Sequence, residues 1–249
     1  MSDRALYDQI SCGYTAARRA DPRIAARIHA ALGDARRVLN VGAGTGNYEP
    51  SDRSVVAVEP SWAMIEQRAD ESAPVVRGVA EALPFGSGSF DVAMGVLTVH
   101  HWPDNIAGLG ELRRVARRQV IMLFDPDFSE GMWLLDYFAE GLGAPSERNA
   151  IGPDVLARHL NVIDVQVVPV PHDCTDGFGY AYWARPEAYL DPEVQAGISL
   201  IAQMEPDQRA ACSDRLAHDL ASGTWDERYG GLRRQPETDG GYRLVVAEN

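Results

Sequence analysis

The residues of this sequence that could do chemistry sit in a few short stretches. Gly42-Ala43-Gly44-Thr45-Gly46 directly follows the apolar run Arg37–Val41. Glycines there permit a tight turn and close approach of the backbone to a ligand. Glu59 follows a second apolar run, Val55–Val58, and a carboxylate at such a strand end can accept both hydroxyls of a ribose. Val99-His100-His101-Trp102-Pro103-Asp104 supplies imidazoles, the side chains that ordinarily titrate nearest neutrality and can serve as general bases. Glycine loop and strand-end acid together read as a nucleoside site. A dinucleotide fingerprint needs G-x-G-x-x-G with its acid about 20 residues on. Here the spacing is G-x-G-x-G, Asn47 takes the place of the last glycine, and Glu59 comes sooner. A ligand with a ribose but no pyrophosphate fits better, and NAD-dependent chemistry is disfavoured.

The elements that must hold these groups follow from periodicity. Apolar runs at Arg37–Val41, Val55–Val58, Pro74–Val79, Phe90–Val99, Gln119–Phe124 and Val162–Val170 read as strands. A last one runs from Tyr242 to Glu248. Asp21-Pro22 opens a helix with the stripe Ile24, Ile28, Leu32, closed by Gly33. Ile106, Leu109, Leu112 and Val115 mark another, and Pro153–Leu160 a shorter one. Alternation of this kind implies a parallel sheet covered on both faces. The crossover between the first two strands is so short that its helix should shrink to one turn near Tyr48 to Ser51. Between the sixth and last strands lies a long segment, His172 to Pro236, with helical stripes Val194, Ile198, Ile201 and Cys212, Leu216, Leu220.

Composition narrows the function. Acidic residues number 36 against 23 basic, for a net charge of −13, which opposes nucleic acid and anionic membrane as partners. Every basic residue is arginine, so Schiff-base and pyridoxal-phosphate chemistry and a lysine-dependent phosphate loop are excluded. Cys12, Cys174 and Cys212 form no CxxC pair or disulfide framework. With no signal peptide and no apolar run of about 18 residues, a cytoplasmic location is expected. His172, Asp173, Cys174 and Asp176 match no standard metal spacing, so no metal is expected.

The stretches VLNVGAGTGNYE, VVAVEPSWAMIEQ, GVAEALPFGSGSFDVAMGVLTVHHW and YRLVVAE resemble class I S-adenosylmethionine-dependent methyltransferases. The resemblance is closest to the small-molecule group that includes the ubiquinone/menaquinone-biosynthesis methyltransferases, and covers residues 1–170 plus the final strand. It implies an α/β, Rossmann-like sheet of six parallel strands and one antiparallel C-terminal strand, with a mainly helical insertion before the last strand. It also implies S-adenosylmethionine as cofactor and S-adenosylhomocysteine as product. Gly42, Gly44 and Gly46 would lie under the methionine and ribose, Glu59 with Pro60 at the ribose hydroxyls, Ala80 and Glu81 beside the adenine, and Leu97 to Val99 along the methionyl side. In the N-terminal segment Tyr14 would cover the cofactor and Arg18 meet its carboxylate. The sequence departs from the family at Asn40, where an acid is usual, and at Val79, where aspartate is frequent.

The function expected is methyl transfer to a small molecule, with oxygen or carbon favoured over nitrogen as acceptor. His101, then His100, is the candidate base. The alternative is a protein of the same fold that binds the cofactor for non-methylating catalysis or as a partner subunit. Residues 1–34 are expected to cap the cofactor, 35–171 with 237–249 to bind it, and 172–236 to form a substrate lid. Trp102, Asp173, Phe178, Tyr180 and Trp183 are the expected substrate contacts. A homodimer is allowed.

Overall fold

A computed structural model describes residues 18–128 and 131–249; Tyr14 lies outside the described residues. The strands are β1 (Arg37–Val41), β2 (Ser54–Glu59), β3 (Val75–Arg77), β4 (Phe90–Val96), β5 (Ala116–Phe124), β6 (Val162–Pro171) and β7 (Glu237–Glu248). They form one sheet in the order β3-β2-β1-β4-β5-β7-β6. Only β7 runs antiparallel to its neighbours; the others share one direction, as the sequence pattern and the resemblance lead one to expect. The order reverses between β1 and β4, so the carboxyl ends of these two strands open a crevice.

Period-2 alternation sorts the strand residues onto two buried faces. Val38, Val92, Met94, Val120, Met122, Leu244 and Val246 point to one face. Leu39, Ala93, Ile121, Leu123, Val245 and Ala247 point to the other. Helix α1 (Pro22–Ala31) covers the first face with Ile24 and Ile28, both essentially inaccessible, each worth about 1.5–3 kcal/mol. Its N-cap is the buried Asp21, which accepts from the Arg23 N–H at 3.0 Å. The second face is covered through Leu109, Leu112 and Val115, buried on the helix Asn105–Val115. Ile106 on that helix is exposed instead, 42% accessible.

Two differences from the sequence reading bear on the site. The β1–β2 crossover contains turns and no helix, so Tyr48 to Ser51 is loop. β4 stops at Val96 rather than Val99, and Val99–His101 is a single 3-10 turn. The segment between β6 and β7 packs onto the domain. Its aromatics Tyr180, Trp183, Tyr189 and Trp225 are buried in the same cluster as α1 and the first sheet face. At their centre Trp133 meets Trp225 and Tyr189 edge-on, with ring centroids 5.2 and 5.5 Å away. The indole N–H of Trp133 donates to the Trp183 carbonyl at 2.9 Å.

Candidate active site

The carboxyl ends of β1, β2 and β4 frame a cavity of about 520 Å³. The turn after β1 needs its glycines for stated reasons. Gly42 has φ of +67°, and a Cβ there would lie 1.9 Å from Thr98 Oγ1, which is no contact at all but an overlap. Its N–H donates to the Val58 carbonyl at 2.9 Å, tying the loop to β2. Gly44 has φ of +52°, and a Cβ there meets nothing within 4 Å. It borders the cavity, so the chain presents bare backbone to whatever fills it. Gly46 does not line the cavity; a Cβ there would approach Glu49 Oε2 at 3.0 Å and Arg68 Nη1 at 3.1 Å.

Glu59 is 6% accessible. Its Oε2 accepts from the Gly44 N–H at 2.8 Å and its Oε1 from the Ser61 N–H at 2.9 Å. Burial raises its pKa, and these backbone donors oppose the rise. A carboxylate has about four acceptor sites, so two remain for a ligand. Pro60, Ala80, Glu81, Asn40 and Leu97 line the same cavity, as does Trp102. Leu97 has φ of +51°, alone among the described non-glycine residues in that region.

Beneath the loop lies a buried ion pair that sequence reasoning missed. Arg68 Nη2 meets Glu49 Oε1 at 2.7 Å, with both side chains almost inaccessible. Arg68 Nη1 also donates to the Gly44 carbonyl at 3.1 Å. The Asn40 amide donates to Glu49 Oε1 at 3.1 Å. Glu49, nine residues beyond Asn40 in the β1–β2 crossover where no pattern marks it, thus ties Asn40 to Arg68 and does not itself line the cavity.

A second, smaller cavity of about 100 Å³ adjoins the first and is mainly apolar. Arg18, Leu97 and His101 line both. His100 lines the second alone. Burial depresses both histidines: His100 to about 4, with Arg18 adding to the effect, and His101 well below its ordinary value, with His100 and Arg18 adding. The expectation of a histidine titrating near neutrality is therefore corrected. Their turn is held by Asn149, whose Nδ2 donates to the carbonyls of His100 at 3.1 Å and Trp102 at 2.7 Å. Arg18 pairs with Asp176 at 2.5 Å, and the Tyr48 hydroxyl donates to the other oxygen of that fully buried carboxylate at 2.7 Å.

The residues expected from the inserted segment separate in space. Phe178 lines the second cavity, whereas Asp173, Tyr180 and Trp183 line neither. Asp173 is exposed and pairs with Arg23 at 2.8 Å. Trp183 is inaccessible and donates to the Val170 carbonyl at 3.1 Å, and Tyr180 packs near Trp133. Aromatic side chains whose polar atoms find backbone partners serve the core as readily as a ligand. Besides Phe178, the segment reaches the cavity through Gly197–Leu200. Glu147 and Tyr242 complete the wall, neither singled out by motif or spacing. Among the described residues no group of three or more His, Cys, Asp or Glu side chains is placed to hold a metal.

The reversal of strand order, the glycine turn and the strand-end acid define a nucleoside-binding protein of the methyltransferase type. Residues 39–124 match the methyltransferase-domain family model. The crystal structure of a putative methyltransferase from an antibiotic biosynthesis pathway of Anabaena variabilis is 31% identical, with a TM-score of 0.84 over 94% of this chain and 99% of that one. The uncharacterized methyltransferase YcgJ of Bacillus subtilis is 27% identical over 43% of this chain and 46% of its own. A chloroplastic 2-methyl-6-phytyl-1,4-hydroquinone methyltransferase of rice is 27% identical over 42% of this chain. The matches span less than half of the length of these two curated relatives, 46% and 33%. This chain belongs to the class I S-adenosylmethionine-dependent methyltransferases. Its cofactor is S-adenosylmethionine.

Proposed function

We propose that the chain transfers the cofactor's methyl group to oxygen or carbon of a small molecule seated in the second cavity. The observation that carries this reading is the common wall: Leu97, Arg18 and His101 border both cavities. The larger cavity fits the cofactor because Glu59 keeps two acceptor sites for ribose hydroxyls and Gly44 leaves space above its backbone. When bound, S-adenosylmethionine supplies a methyl carbon made electrophilic by positive sulfur. The chain's contribution is chiefly to orient the acceptor and exclude water. Arg18, fixed by Asp176, keeps a positive charge at the wall.

His101 is neutral at pH 7 because burial lowers its pKa. It is therefore a hydrogen-bond acceptor for a substrate hydroxyl, and takes that proton on an imidazole nitrogen as the oxygen forms its new bond to carbon. A weak base suffices, since an oxygen that has just acquired a third bond is far more acidic than the starting hydroxyl. Incubating the protein with methyl-labelled cofactor and a metabolite extract tests the reading. Label in a small-molecule product supports it; cofactor binding with no labelled product from any extract favours the non-methylating alternative.

A further inference from the structure

The second cavity contains a carboxyl group that the reaction above does not use. Glu147 lines it among apolar neighbours that include Leu134, Leu142, Ile198 and Phe178. Burial raises its pKa, with the Ser146 hydroxyl opposing. That hydroxyl donates to Glu147 Oε1 at 3.2 Å, and itself receives the Gln203 amide N–H at 2.7 Å, so its proton is committed to the carboxylate. Among the described residues no arginine pairs with Glu147. A carboxylate so placed has unused acceptor capacity in low-dielectric surroundings, where an unmet polar group is costly.

Its position within the cavity matters as much. His101 sits on the wall shared with the cofactor cavity, whereas Glu147 lines the acceptor side only. Tyr242 lines the same cavity as Glu147, and Glu147 adds to the rise that burial gives the Tyr242 pKa. A volume of about 100 Å³ is below the roughly 150 Å³ of a cavity known to take benzene. An acceptor ring therefore fits only with its reactive end at the wall shared with the larger cavity.

We infer that Glu147 selects the acceptor: a single-ring compound whose reactive hydroxyl lies at His101 while a second hydrogen-bond donor on the ring, a hydroxyl or an amine, is accepted by Glu147. This rests on the methyl-transfer reading of the same site. A donor facing a carboxylate forms one of the stronger hydrogen bonds available to a ligand, so the second group should dominate discrimination among rings of equal size.

The test uses the full chain saturated with S-adenosylhomocysteine, with phenol, the isomeric dihydroxybenzenes and the hydroxybenzylamines as probes in titration calorimetry. At least one two-donor ring should bind the wild type tenfold or more tighter than phenol. Glu147→Ala should reduce that preference to within about twofold, and Glu147→Gln, which retains an acceptor oxygen, should keep part of it. In both variants S-adenosylhomocysteine affinity should stay within about twofold of the wild type, which also reports correct folding. A hydroxybenzylamine preference identifies the second donor as ammonium, a dihydroxybenzene preference as hydroxyl; either supports the proposal. The proposal is overturned if no ring binds the loaded protein, if phenol binds as well as every two-donor ring, or if Glu147→Ala leaves the preference intact. Failure of the wild type to bind S-adenosylhomocysteine would instead refute the cofactor-site assignment beneath it.

Discussion

Replacing Glu59 with glutamine is the sharpest probe of the cofactor cavity, because the structure fixes what each oxygen does. Oε1 and Oε2 hold the Ser61 and Gly44 N–H groups at 2.9 and 2.8 Å, leaving one acceptor site apiece for the ribose. Glutamine keeps the shape but must turn its NH₂ toward one of these backbone donors, so that donor loses its partner and one ribose hydroxyl loses its acceptor. The other hydroxyl then meets a neutral oxygen instead of a carboxylate. A hydrogen bond to a charged group contributes about 1.5–3 kcal/mol, so the loss in binding should be about 2–3 kcal/mol, or roughly 30- to 150-fold in Kd. Stability should change much less. The orphaned N–H costs about 1–3 kcal/mol, but removing a carboxylate whose ionisation burial already disfavours offsets part of it. Calorimetry with S-adenosylhomocysteine and a thermal melt on the same sample separate the two effects. A Kd within threefold of wild type would refute the ribose assignment.

His101→Ala should lower turnover about 10²–10⁴-fold with cofactor affinity intact; an unchanged kcat with a raised KM would make it a residue that only shapes the cavity. The depressed histidines predict acid sensitivity: the unfolded chain takes up protons near pH 6.5 that the fold refuses until about pH 4 at His100. Stability is therefore fully present above pH 6.5 and falls below it by up to about 1.4 kcal/mol per pH unit for that histidine, and His100→Gln should flatten the profile in thermal melts. On the helix Asn105–Val115, Gly110→Ala meets open space and should stabilise by about 0.5–1 kcal/mol. Gly108→Ala would place a Cβ 2.4 Å from the Trp102 ring, and should destabilise by about 1–3 kcal/mol with a shifted tryptophan fluorescence; equal melting temperatures for the two variants would contradict the packing of Trp102.

The sheet was legible because its signals are local. Apolar runs of strand length bounded by glycine and proline, and helix stripes such as Ile24, Ile28 and Leu32, announce themselves within a few residues. The glycine turn and Glu59 were legible for the same reason, each following directly on a strand. What could not be read is long-range pairing. Asp176 holds Arg18 from 158 residues away and Tyr48 from 128; Asn149 grips the His100 carbonyl across 49. Composition also misled at Asp173, Tyr180 and Trp183: aromatic and acidic residues leaving a sheet edge look alike whether they face a substrate or an aromatic core. The histidines were found, but their charge state follows from burial, which sequence does not show.

With cofactor and acceptor in the two cavities as proposed, the common wall links their binding equilibria. Arg18, Leu97 and His101 cannot be rearranged by one occupant without altering the surface offered to the other. Whatever free energy cofactor binding adds to acceptor binding, acceptor binding must return to the cofactor in equal measure. The reaction then changes one side of the balance, since the spent cofactor lacks both the methyl group and the sulfur's positive charge. Beside a guanidinium, that loss alters the field in which the methylated product sits. Turnover can thereby reset affinity on both sides of the wall at once, with no moving lid required.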